Sequence, residues 1–135
     1  MSTTRSPCFT RCRSAGEDAD RYSGPPRLAR ADGTEVFDTV DAGREVTEHP
    51  DAGEVVWGDD AGVTCRRWNW RQGRRTRLLD DTTAALFIVD ALAPLDDEGL
   101  ARVADRLEER LALLGRRVVV TRRTLAAPPA PTRGG

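Results

Sequence analysis

The chain has 135 residues, of which 39% are hydrophobic and 32% charged, and its formal net charge is −1. This length allows one domain or part of one, and the composition is polar without being typical of a disordered chain. Because the charges nearly cancel, the chain as a whole is not a basic nucleic-acid-binding protein, and any such binding needs a local patch.

The cysteines and the apolar stretches restrict the class of protein further. Three cysteines, an odd number, indicate reduced thiols and a cytoplasmic protein. Cys8 and Cys12 have no second pair of cysteines or histidines to complete a zinc site, so we expect neither a metal nor another cofactor. The first residues lack the apolar core of a secretory signal, and no stretch is long enough to cross a membrane.

The first part of the chain reads as irregular and turn-rich. Residues 1 to 26 show few apolar side chains and no periodicity, so we expect poor order there. Leu28 begins an extended segment, and the Asp32-Gly33 turn predicts a β-hairpin with the residues that follow. Residues 41 to 54, "DAGREVTEHPDAGE", are predicted to form a loop.

Two strands are predicted in the middle of the chain. Residues 54 to 57, "EVVW", read as one strand and residues 63 to 71 as the next. Alternation along the second strand would place Trp68 and Trp70 on one face together with Thr64 and Arg66. Tryptophans on one face of a strand are usually core residues, although they can also form a stacking surface.

The last part of the chain predicts a strand, a helix and a second strand. Residues 86 to 89, "LFIV", predict a strand buried on both faces, and leucines at helical spacing predict a helix over residues 97 to 114. Residues 116 to 124, "RRVVVTRRT", predict the next strand. These three elements form a βαβ unit, so the predicted fold is α+β with a mixed sheet. The tail from 126 to 135 is expected to be disordered.

The predicted core is thin. One helix can cover one face of a small sheet, but the second face has no evident cover in this chain. We therefore expect either self-association through that face or a missing part of the domain.

The basic stretch "CRRWNWRQGRRTRL", residues 65 to 78, contains six arginines and two tryptophans and no acidic residue. Arginine forks grip phosphates and tryptophan faces stack on unpaired bases, so the stretch could bind RNA. Alternatively, the loop is solvated or paired with carboxylates. Arg66 could stack over an indole or pair with Asp59 or Asp60. The candidates for contact with RNA phosphates are the loop arginines Arg71, Arg74, Arg75 and Arg77.

Few residues suggest chemistry. Asp90 follows an apolar strand, where its carboxylate could accept a hydrogen bond from a substrate hydroxyl or could simply face solvent. Cys65 on a strand is expected to be a small buried residue. No serine, cysteine or histidine constellation supports a nucleophile, so the catalytic residues stay unknown. Without a glycine-rich phosphate loop, the chain cannot activate an amino acid with ATP by itself.

Three segments together resemble a known family. "AGEDADRYSGPPRLARADGTEVFDTV", "GEVVWGDDAGVTCRRWNWRQGRRTRL" and "TTAALFIVDAL" are similar to the stand-alone B3/B4 domain proteins, which are related to the editing and tRNA-binding module of the phenylalanyl-tRNA synthetase β subunit. The resemblance runs from about Ser14 to about Leu125 and leaves residues 1 to 13 unmatched. It implies layered sheets and helices of the B3/B4 type.

The chain departs from the family pattern in two ways. Complete members carry a further region before this point, so the resemblance implies that this chain is truncated at the N-terminus. The synthetase module also places a pocket histidine in the stretch that corresponds to residues 14 to 18, and its place here is taken by Ala15. The acidic residue of the pocket is matched by Asp90, and its threonine-containing segment has no counterpart.

The resemblance implies a module that binds tRNA or aminoacyl-tRNA. Whether it also hydrolyses a mischarged aminoacyl ester stays open, as does any enzymatic activity. In the alternative, the chain is a domain that binds a small amino-acid-like molecule, a purely structural domain, or a truncated inactive remnant.

Overall fold

The structure is a computed structural model that describes residues 12–115 and 117–125 of the chain. This part contains eight β-strands, a short 3-10 helix (Ala19–Arg21) and one α-helix, α1 (Asp97–Ala112). The strands are β1 (Cys12–Asp18), β2 (Arg27–Arg30), β3 (Phe37–Asp41), β4 (Arg44–Glu48), β5 (Val55–Asp59), β6 (Gly62–Arg66), β7 (Arg71–Gln72) and β8 (Ala85–Ala91). The predicted α+β class is confirmed.

The strands form three small sheets rather than one mixed sheet. β1 pairs with β8, β3 pairs with β4, and the third sheet has the order β2-β5-β6-β7. All strand pairs in these sheets are antiparallel, and the one parallel bridge between described residues joins Val56 to Trp68. β7 connects the sheets, because the Gln72 carbonyl accepts a hydrogen bond from Thr39 of β3 and its side chain donates to the Gly16 carbonyl of β1.

The largest buried apolar side chain is Phe37, which is fully inaccessible to solvent. It forms a small core with Ala31, Val56 and Val63, between the β3-β4 hairpin and the four-stranded sheet. The Val63 backbone N–H donates to the Val36 carbonyl at 2.9 Å and joins the hairpin to β6. This core is small for a chain of this length, so polar contacts must supply much of the cohesion.

The prediction of a loop over residues 41 to 54 is wrong for its first half, which contains β4. Ala42 and Gly43 have φ angles of 48° and 78°, the left-handed pair that closes a tight hairpin. Most β4 side chains are exposed and polar, so the apolar alternation that would reveal a strand is absent. The predicted hairpin at Asp32-Gly33 is also wrong, because β2 pairs with β5 and β3 pairs with β4.

The predictions for the N-terminal residues and for the "LFIV" segment are corrected in part. β1 pairs along its whole length with β8, so the expectation of poor order over residues 1 to 26 is wrong from Cys12 onward. "LFIV" is a strand as predicted, but only Ile88 of it is buried, so it is not covered on both faces. The predictions for residues 1 to 11 and for the tail from 126 to 135 lie outside the described residues.

The helix is confirmed and the strand after it is not. Asp96 caps α1 by accepting the Gly99 backbone N–H at 2.8 Å. Residues 117 to 125 form no strand, so the described chain contains no βαβ unit. Arg122 of this segment pairs with Asp105 and Glu108 of α1, but all three side chains are exposed, so these ion pairs contribute little to stability.

The thin core predicted from the sequence leaves apolar side chains in solvent. Leu113 and Leu114 at the end of α1 are 85% and 79% exposed, and Val119 is 89% exposed. Self-association through such a surface stays a prediction. Within the described part of the chain, no helix combines the length and the apolar character needed to cross a lipid bilayer.

Candidate nucleic-acid interface

The tryptophan-bearing stretch is a strand followed by a left-handed turn. β6 ends at Arg66, and then Arg67 and Trp68 adopt φ angles of 50° and 62°. Left-handed backbone costs an L-residue about 1–2 kcal/mol. It also interrupts the extended conformation in which successive side chains point to opposite faces of a strand. The prediction of one strand over residues 63 to 71 with both tryptophans on its core face is therefore wrong. Trp68 is half-buried, whereas Trp70 is 60% exposed.

Hydrogen bonds on both sides fix this turn. The Trp68 backbone N–H donates to the Val55 carbonyl of β5 at 3.2 Å, and the Trp70 N–H donates to the Arg67 carbonyl at 3.2 Å. The buried Asn69 side chain donates through Nδ2 to the Ile88 carbonyl of β8 at 3.3 Å. The turn is thus tied to two sheets, which explains how a strained backbone persists there.

Two arginines of the basic stretch form a cluster with two glutamates. Arg66 donates to both carboxylate oxygens of Glu54, at 3.0 and 2.7 Å, and to Glu48 at 2.7 Å. Arg71 grips the same Glu48 carboxylate with two bonds of 2.7 and 2.8 Å. Both guanidinium groups lie over the Phe37 ring, 5.9 and 5.7 Å from its centre. We call these four charged residues the Phe37 clamp.

The clamp strongly favours the charged forms of its carboxylates. The hydrogen bond from Arg66 lowers the pKa of Glu54 from 4.5 to about 2, and the bond from Arg71 lowers the pKa of Glu48. Arg66 is only 7% exposed, so its charge depends on these partners. The sequence left two alternatives for Arg66, stacking over an indole or pairing with Asp59 or Asp60, and its carboxylate partners are instead Glu48 and Glu54.

Arg75 is held by a second carboxylate. Its two terminal nitrogens donate to Asp59 at 2.8 and 2.6 Å, and the Asp59 side chain is fully buried. Asp59 also accepts the backbone N–H groups of Ala61 and Gly62, so it stabilises the turn between β5 and β6. Burial alone would raise the pKa of Asp59, but Arg75 and the backbone N–H groups outweigh burial and lower it.

The other two candidate arginines have weaker partners or none. Arg74 lies 3.6 Å from Glu45, whose side chain is 71% exposed, so this pair contributes little. Arg77 is exposed, and among the residues described no carboxylate reaches it at ion-pair distance. Of the four predicted contacts with RNA, Arg71 and Arg75 are therefore engaged in the fold, and Arg74 and Arg77 are accessible.

Asp90 lies on β8 and faces a tryptophan of β5. The Trp57 indole nitrogen donates to its two carboxylate oxygens at 3.3 and 3.2 Å. Burial raises the pKa of Asp90, and the Trp57 bond offsets part of that rise. Asp90 is thus a half-buried carboxyl and not a fully solvated one. The sequence did not point to Trp57, because the partners come from strands 33 residues apart.

A buried carboxyl that the sequence did not indicate lies close to this region. Glu17 of β1 is 1% exposed, and one of its oxygens accepts from the Cys65 thiol at 3.3 Å and the Thr76 hydroxyl at 3.1 Å. Burial raises the pKa of Glu17 and also raises the pKa of Cys65. Cys65 is buried, as predicted, and it stays a thiol rather than a nucleophilic thiolate.

Other side chains near the candidate site have structural roles. Ala15, which stands where the family has a histidine, is 4% exposed and pairs with Ile88 in the β1-β8 sheet. The Thr82 hydroxyl donates to Asp18 at 2.9 Å and accepts from the Leu79 N–H at 2.9 Å, so it stabilises a turn. Among the residues that the structure describes, no three histidine, cysteine or acidic side chains converge as metal ligands.

The sequence matches a known protein family over most of its length. The model of the B3/4 domain matches residues 14–112, which is most of the chain, so the protein belongs to the B3/4 domain family. The family is consistent with the relation to the phenylalanyl-tRNA synthetase β subunit that the sequence implied, and with a module related to tRNA binding. Neither the curated proteins nor the solved structures contain a match to this chain.

The lowered pKa of Glu54 predicts a specific loss of stability in acid. Because the folded-state pKa lies below the ordinary value, Glu54 stabilises the fold above about pH 4.5, and this contribution is lost as the pH falls toward about 2. Glu54→Gln should therefore lower the free energy of unfolding at pH 7 and flatten its decrease in acid. Urea unfolding at pH 7, 5 and 3.5 measures both effects. Glu45→Gln is the control, and equal pH dependence in Glu54→Gln and the parent would contradict the assignment.

The contact between Trp57 and Asp90 predicts a second titration. Trp57→Phe keeps an aromatic ring but removes the indole donor, so burial of Asp90 is no longer offset and its pKa should rise further. Carboxyl-carbon NMR titration measures this pKa, with Asp90→Asn used to assign the resonance. A pKa that is unchanged or lower in Trp57→Phe would show that the indole does not stabilise the ionised carboxylate.

Proposed function

We propose that this chain binds tRNA or aminoacyl-tRNA, with Arg74 and Arg77 as its contacts to the phosphate backbone. Membership of the B3/4 domain family is the observation that carries the proposal. Arg74, whose side chain is 38% exposed, and the exposed Arg77 support it, because they lie at the end of the basic stretch without strong carboxylate partners. Arginine is well suited to such contacts, since its planar fork matches a phosphate.

The paired arginines have another role in this proposal. Arg71 and Arg75 are each gripped by a carboxylate with two short hydrogen bonds, so binding a phosphate would mean breaking those bonds. We assign them to holding β7 and the following loop in place. They present Arg74 and Arg77 to solvent but do not themselves bind RNA.

We further propose Asp90 as the residue that recognises the amino acid of an aminoacyl-tRNA. A half-buried carboxylate held by Trp57 can accept a hydrogen bond from a hydroxyl, and a site built in this way rejects analogues that lack the hydroxyl. Hydrolysis of a mischarged ester would then use a positioned water assisted by the terminal hydroxyl of the tRNA. Cys65 does not serve as a nucleophile, because it is buried and its pKa is raised.

One observation favours a second candidate function. Three arginines of the basic stretch are neutralised within the fold: Arg66, Arg71 and Arg75. A surface with this much internal pairing also suits a domain that binds a small amino-acid-like molecule at Asp90 and makes no contact with RNA. The two functions differ in whether binding depends on salt, since only phosphate contacts release counterions.

The phosphate contacts are tested with the double variant Arg74→Glu/Arg77→Glu. The expected result is weaker binding to a tRNA transcript and a shallower dependence of log Kd on log salt, by about 0.7 to 0.9 for each lost phosphate contact. Fluorescence anisotropy across a salt series measures both. Arg102→Glu/Arg110→Glu is the matched control, because it makes the same charge change on exposed positions of α1. If the Arg74/Arg77 variant binds like the parent at every salt concentration, these contacts are wrong.

Hydrolysis is tested with phenylalanine tRNA charged with tyrosine. The parent should release tyrosine faster than the spontaneous rate, and Asp90→Asn should lose most of that acceleration because the hydroxyl acceptor is weakened. Phenylalanine tRNA charged with phenylalanine is the control substrate. No turnover at high protein concentration would reject hydrolysis and leave tRNA binding to be judged by the salt series.

A further inference from the structure

The left-handed turn after β6 carries a large aromatic side chain outward. Trp70 is 60% exposed, whereas the two other tryptophans of the chain, Trp57 and Trp68, are half-buried. Among the described residues, Arg67 and Trp70 line an open surface depression of about 310 Å³. An indole and a guanidinium group therefore border the same accessible space.

The backbone at this position is fixed before any ligand arrives. The Arg67 N–H donates to the Glu54 carboxylate at 3.2 Å, and the Trp68 and Asn69 anchors tie the turn to β5 and β8. The flanking arginines, Arg66 and Arg71, are both held in the Phe37 clamp. A ligand that met this surface would not have to order the backbone of the turn, which favours binding.

Charge distinguishes Arg67 from its neighbours. The guanidinium groups on either side are neutralised by Glu48 and Glu54, but no described carboxylate forms an ion pair with Arg67. Arg67 is exposed, so its charge is available to an anionic group in the depression. The turn thus places an exposed indole and an exposed guanidinium group beside the same depression.

We propose that Arg67 and Trp70 form a binding site for a single unpaired nucleotide of an RNA strand. The base stacks on the Trp70 indole, and Arg67 donates to the phosphate of the same nucleotide. The depression is open to solvent and not an enclosed cavity, so it suits one nucleotide of a larger molecule better than a small ligand. This inference rests on the proposed binding of tRNA and adds a contact that the loop arginines do not provide.

The test separates stacking from charge with the full chain and a tRNA transcript. Trp70→Ala should raise Kd about tenfold and leave the salt dependence unchanged, whereas Trp70→Phe should keep most of the affinity. Arg67→Ala should flatten the dependence of log Kd on log salt by about 0.7. Leu113→Ala is the control, because it shortens another exposed apolar side chain at the end of α1. Circular dichroism confirms that each variant is folded.

A second probe isolates the base. A single-stranded uridine oligomer should quench the tryptophan fluorescence of the parent but not of Trp70→Phe, and an abasic oligomer of equal length should bind more weakly. Equal binding of the two oligomers would overturn the stacking site. If the parent binds tRNA with the expected salt dependence and Trp70→Ala binds equally well, the site is wrong and the proposed function stands. If the parent binds neither tRNA nor oligomer, both are wrong.

Discussion

The fold depends on the Phe37 clamp, in which two glutamates neutralise two arginines over a buried aromatic ring. Glu48 belongs to the β3-β4 hairpin and Arg66 to β6, so this interaction fastens the hairpin to the four-stranded sheet. The apolar core beneath it consists of a few side chains around Phe37, which is too little to hold three sheets together. Removing one partner would leave a nearly buried charge without an opposite charge beside it. This lowers the free energy of unfolding more than the loss of a surface ion pair does.

The clamp also decides how much of the basic stretch is available to a ligand. The sequence shows six arginines within fourteen residues, but the fold uses Arg66, Arg71 and Arg75 internally. The pairing turns a highly charged stretch into a rigid scaffold with a few accessible cations. The surface available to a ligand therefore consists of the side chains that are not paired with carboxylates. The number of arginines in the sequence overestimates how many of them can contact a ligand.

Local patterns in the sequence predicted some helices and strands correctly and failed to predict others. The helix, the "LFIV" strand and the strand around "EVVW" follow from the periodicity and composition of short segments. β4 was missed because its exposed polar side chains show no alternation. The strand predicted after the helix failed because its apolar run was a false signal: Val118 and Val119 are exposed and do not pair in a sheet.

The candidate site was less predictable because its contacts join distant parts of the chain. Asp90 was singled out through the family resemblance, but its partner Trp57 lies 33 residues away, and the Arg75–Asp59 pair spans 16 residues. The left-handed backbone at Arg67 and Trp68 gave no signal, because neither residue is glycine or asparagine. Only tertiary structure shows that the two neighbouring tryptophans, Trp68 and Trp70, differ in exposure.

The buried thiol of Cys65 has a consequence for how the protein can be followed in solution. Its hydrogen is donated to Glu17 and burial disfavours the thiolate, so the folded chain does not offer a reactive sulfur at this position. An alkylating reagent can reach that sulfur only when β6 and the residues that bury Cys65, among them Glu17 of β1, move apart. The modification rate of Cys65 therefore reports the opening of these strands, and RNA that binds only the closed form would slow it.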